Sequence, residues 1–62
     1  MATESISLEQ RKAIFLALVE HQDSGETPKQ SRSTVAKQFD IPESTVKEIE
    51  KEGEENEWPP LG

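Results

Sequence analysis

Side chains able to engage an anion or a polar edge concentrate in the middle of this chain. Lys29, Arg32, Lys37, Lys47 and Lys51 fall between residues 27 and 51, beside the hydroxyls of Ser44 and Thr45. Ammonium and guanidinium groups neutralise phosphates, hydroxyls donate to them, and a carboxylate such as Glu43 accepts from an exocyclic amine. Bond-making chemistry has far less to draw on. There is one histidine, His21, and there is no cysteine, no tyrosine and no glycine-rich loop. A metal site needs several ligands and a nucleophile needs an activating base, so the expectation is a non-enzyme with no cofactor and no metal. His21 is expected at the C-terminal end of a helix, where a partly charged imidazole suits the helix dipole.

Charge sharpens that picture. The 62 residues carry a net charge of −6, unevenly spread. Residues 1–26 hold two bases against five acids, residues 27–51 five bases against four acids, and residues 52–62 four glutamates and no base. Only the middle is not acidic. The length admits one small domain with a thin, marginally stable core, and the absence of cysteine removes disulfides as a staple. The apolar run Ile14 to Val19, six residues or seven with Ala13, is well short of a membrane span, and no basic-then-apolar leader opens the chain. These features predict a cytoplasmic protein with no membrane partner and no small-molecule substrate.

Three helices must position the polar groups. Ser7 and Gln10 have capping-box spacing and predict a first helix over about 8–22. Leu8, Ile14, Phe15, Leu18 and Val19 share one arc of it at 100° per residue, whereas Leu16 falls outside, as a lone exposed leucine or the edge of a dimer contact. Gly25 suits a left-handed helix end, and Thr27, Pro28 and Gln30 predict a second helix over 28–39 with Val35 and Phe39 on one face. Asp40-Ile41-Pro42 breaks that helix. A third follows over about 43–53, with Val46, Ile49 and Gly53 facing inward and Gly53 at its end, unless the glutamate-rich run to Glu57 continues it. No alternating strand pattern occurs, so the predicted fold is an all-α three-helix bundle. Trp58 should pack an extended tail back onto it, with residues 1–6 and 59–62 loosely ordered within the single domain of 1–62.

TVAKQFDIPESTVKEIEKEG, residues 34–53, resembles the helix-turn-helix of bacterial DNA-binding proteins. Ala36 stands at the small position of the first helix of that motif, Asp40 at its turn and Val46 at its branched aliphatic, with Val35, Phe39, Ile41 and Ile49 at inward places. Each place also has its own physical reason, since a small side chain permits a steep helix crossing and the turn residue must accept positive φ. Two departures are Asp40 where the family usually has glycine, and Pro42 where it often has Ser or Thr. Aspartate tolerates the left-handed region and proline suits a first helical position. From the first helix to the end, the chain also resembles a small group of bacterial helix-turn-helix proteins ending in Trp-Pro-Pro-Leu, a group that brings no activity with it.

The resemblance implies a transcriptional regulator whose third helix enters the major groove. Glu43, Ser44, Lys47, Glu48 and Lys51 would then face bases, and Lys29, Arg32, Lys37 and Thr45 would hold phosphates. Glu48 and Glu50 oppose a polyanion unless paired, Glu48 with Lys47 or Lys51. A chain at −6 also starts from an unfavourable field, so monomeric binding should be poor and salt-dependent, which points to a homodimer or a protein partner. The alternative is an acidic three-helix protein-interaction module that binds no DNA. Bases gathered on one face favour DNA, and acids interleaved along the exposed side of the third helix favour the module.

Overall fold

The first helix starts where the sequence places its cap. In the computed structural model, which describes residues 6–59, the backbone N–H of Gln10 donates to Ser7 Oγ at 3.1 Å and opens α1, Leu8–Asp23. At the next start both halves of the capping box form. Gln30 N–H donates to Thr27 Oγ1 and Thr27 N–H to Gln30 Oε1, each at 3.1 Å, ahead of α2, Pro28–Phe39. The third helix, α3, Glu43–Glu55, begins after Pro42, which has extended backbone and supplies no side-chain cap.

All three helices end by one device. A residue with positive φ lets the chain turn back, so that the next N–H reaches the carbonyl five residues earlier, and a second N–H closes a shorter loop inside it. After α1 the pivot is Gly25, and Glu26 N–H donates to His21 O at 3.2 Å. After α2 it is Asp40 at φ 56°, with Ile41 N–H donating to Ala36 O at 2.9 Å. After α3 it is Glu57 at φ 51°, with Trp58 N–H donating to Gly53 O at 3.0 Å. Of the two ends the sequence allows for the third helix, the later is closer: α3 continues past Gly53, which is buried inside it, to Glu55.

The fold is the expected all-α three-helix bundle, each helix packing on both others. Its core is Ile14, Phe15 and Leu18 of α1, Val35 and Ala36 of α2, Val46 and Ile49 of α3, and Trp58. The two aromatics meet edge to face, ring centres 6.0 Å apart and planes at 82°, so the chain after α3 does pack back through Trp58. Leu8 departs from the expected stripe and is exposed; Ile6, just ahead of the cap, packs on the core instead. The expectation of loosely ordered ends falls, at residues 1–5 and 60–62, outside the described residues.

Polar side chains tie the helices together around this core. Glu50 of α3 accepts from Arg32 of α2 at 3.2 Å and from Gln22 of α1 at 3.3 Å. Gln22 also donates to Ser31 Oγ, which is fully buried and donates onward to Pro28 O. Arg11 of α1 pairs with Glu52 of α3 at 3.0 Å.

A titratable pair spans the α1–α2 connection. His21 Nδ1 lies 2.7 Å from Glu26 Oε2, and Ser24 Oγ donates to the His21 carbonyl at 2.8 Å. The hydrogen bond to Glu26 raises the imidazole pKa above its ordinary 6.5. A pKa raised on folding stabilises the protonated native state. That contribution is complete below pH 6.5 and is lost as pH climbs through the higher folded value. The melting temperature of Glu26→Gln is expected to respond less to pH than that of the natural chain between about pH 6 and 8, which a series of thermal melts would check; identical profiles would reject the role of the pair.

Candidate functional site

The candidate surface is built from the outside of α2 and α3 and the corner between them. Asp40 in the left-handed region turns the chain within three residues, and the burial of Ala36, Val46 and Ile49 locks α3 against the body. Because Val46, Ile49 and Gly53 point inward, the helical period turns Glu43, Ser44, Lys47, Glu48 and Lys51 outward, and all five are exposed. A shallow groove runs along that side, lined by Ser44, Lys47, Glu48, Glu50, Lys51 and Glu54. A second depression sits at the corner, where Ser33, Lys37, Asp40 and Glu43 surround Ile41 and Pro42.

The four phosphate candidates divide. Lys29 and Lys37 are exposed on α2, a helix with no acidic residue along its length. Arg32 is half-buried and bonded to Glu50, so its guanidinium is already engaged inside the protein. Thr45 is corrected as a phosphate contact: at 2% exposure its side chain is part of the packed interior. It stands four residues before Ile49 and eight before Gly53, and that spacing places it on the inward side of α3.

The acids divide as well. Glu50, an obstacle when read as a free carboxylate beside a polyanion, is neutralised by Arg32. Glu48 has no ion pair with Lys47, Lys51 or any other base among the described residues. Glu43, Glu48, Glu54 and Glu55 are exposed along α3 with Lys47 and Lys51 among them, so acids and bases interleave there. Cations predominate only on α2. No helix of the described residues is long and apolar enough to cross a membrane.

These features define a three-helix all-α domain whose last two helices meet at a left-handed corner. The chain belongs to the family described as Domain of unknown function (DUF7769), whose profile matches residues 6–57. The match stops one residue short of Trp58, although that ring completes the core. Neither the curated proteins nor the solved structures yield a match.

Proposed function

We propose that this chain is a small cytoplasmic helix-turn-helix DNA-binding protein, a transcriptional regulator in which α3 is the recognition helix. The observation carrying this reading is the α2–α3 corner. Its left-handed Asp40 and buried Ala36 and Val46 pack α3 against the body with Glu43, Ser44 and Lys47 outward, beside an α2 surface that carries Lys29 and Lys37 and no acid. Lys29 and Lys37 of α2 then hold phosphates, and the first two turns of α3 meet base edges. Arg32 takes no part unless it leaves Glu50.

With only Lys29, Lys37, Lys47 and Lys51 to neutralise phosphates, binding is weak and falls steeply with salt. Between about 50 and 200 mM salt, two phosphate contacts cost roughly tenfold in affinity and four roughly a hundredfold. Titrating labelled random duplex DNA at both concentrations tests this, and Lys37→Ala is expected to weaken binding and flatten the salt slope by about one. A second reading has its own observation: the interleaved acids along exposed α3 favour an acidic module that binds a protein partner. Absence of binding at low salt by the folded chain would transfer the assignment to that module.

A further inference from the structure

The outer face of α1 takes no part in the core or in the proposed DNA surface, and its pattern is self-complementary. Leu16 is exposed at 43%. Lys12 stands four residues before it and Glu20 four after, both exposed and without an ion pair among the described residues. Residues four apart form one row along a helix, so the exposed face reads cation, leucine, anion.

We propose that α1 pairs with α1 of a second copy of this chain, antiparallel, about a two-fold axis at Leu16. In that arrangement the leucines meet at the centre, and Lys12 of each copy faces Glu20 of the other, so the charge pairing forms twice. Competing arrangements fail on charge. A parallel pair sets lysine against lysine and glutamate against glutamate. An antiparallel pair centred on Lys12 brings Leu8 to Leu16 but places two ammonium groups on the axis. In the Leu16 register the only like-charge approach is Glu9 to Asp23. The two meet at the ends of the contact, seven positions and about 10 Å along each helix from the axis, where both carboxylates are exposed and their repulsion is screened by solvent and salt.

One helix face with a single central leucine makes a weak dimer, below the size of a stable interface. Such an association suits the need of a monomer with few phosphate contacts for a second copy, yet it is measurable without DNA. Sedimentation equilibrium and concentration-dependent amide shifts of the full chain, at low salt and up to about millimolar concentration, supply the readout. The natural chain is expected to self-associate reversibly. Lys12→Glu and Glu20→Lys are each expected to raise the dimer dissociation constant roughly tenfold or more, because two attractions become two repulsions. The chain carrying both substitutions is expected to recover, and an equimolar mixture of the two single variants to associate more tightly than either alone. Both positions are exposed, so melting curves should stay close to that of the natural chain. A monomer throughout the concentration range, single reversals without effect, or a double reversal that does not recover would each overturn the pairing.

Discussion

Trp58→Ala is expected to destabilise the domain by about 3–5 kcal/mol, the range for removing a large buried aromatic. The ring is 7% exposed and meets Phe15 edge to face, in a core whose two buried aromatics they are. It also closes α3. Glu57 sits at φ 51°, a conformation costing a residue with a Cβ about 1–2 kcal/mol, and burial of the next side chain helps hold it there. In a domain this small each kcal/mol moves the melting temperature by about 4–8 °C, so a loss of this size leaves little folded protein at physiological temperature. Thermal and urea unfolding followed by circular dichroism would measure it. Trp58→Phe, which keeps an aromatic on Phe15, is expected to retain a good part of the lost stability. An unchanged melting curve for Trp58→Ala would reject the anchoring role.

What the sequence revealed and what it hid follow from the range of the forces involved. Helix starts were legible because a cap is a local bond: Ser7 with Gln10, and Thr27 with Gln30, are three residues apart and need nothing from the rest of the fold. The turn at Asp40 was legible for a related reason, since a proline two residues later forbids the helix to continue. The end of α3 was not. A glycine there suggested a stop, but a partner distant in sequence makes that glycine a packing site and leaves the stop to Glu57, whose residue type carries no such signal. At the candidate surface, exposure of Glu43, Ser44, Lys47, Glu48 and Lys51 followed from helical period alone. Engagement of Arg32 by Glu50 depends on how α2 and α3 cross, eighteen residues apart in the chain, and no spacing within one helix reports it. The hidden pairing changes the functional reading twice, removing one cation from the phosphate face and one unpaired acid from the groove.

Gly53→Ala is expected to destabilise the domain even though alanine is the better helix former. In an exposed helix interior the exchange gains about 1 kcal/mol from reduced backbone entropy and higher propensity. Here a Cβ on residue 53 would lie 2.7 Å from Phe15 Cγ and closer still to Cδ1 and Cε1. Those atoms belong to a rigid ring at 2% exposure, met on its edge or face by Trp58, so they cannot swing away as the tip of a long side chain would. Either the ring leaves its rotamer or α3 moves off α1, and overpacking of this kind costs about 1–3 kcal/mol and sometimes more. The clash is deep enough to outweigh the propensity gain, giving a net loss of up to about 2 kcal/mol. Coupling identifies the cause. In the double-mutant cycle with Phe15→Leu, which thins the opposing wall, the cost of Gly53→Ala is expected to shrink or change sign, leaving an interaction energy well above the additivity error of about 0.5 kcal/mol. If Gly53→Ala alone raised the melting temperature, the close approach of α3 to Phe15 would be refuted, and with it the reason α3 runs past its glycine.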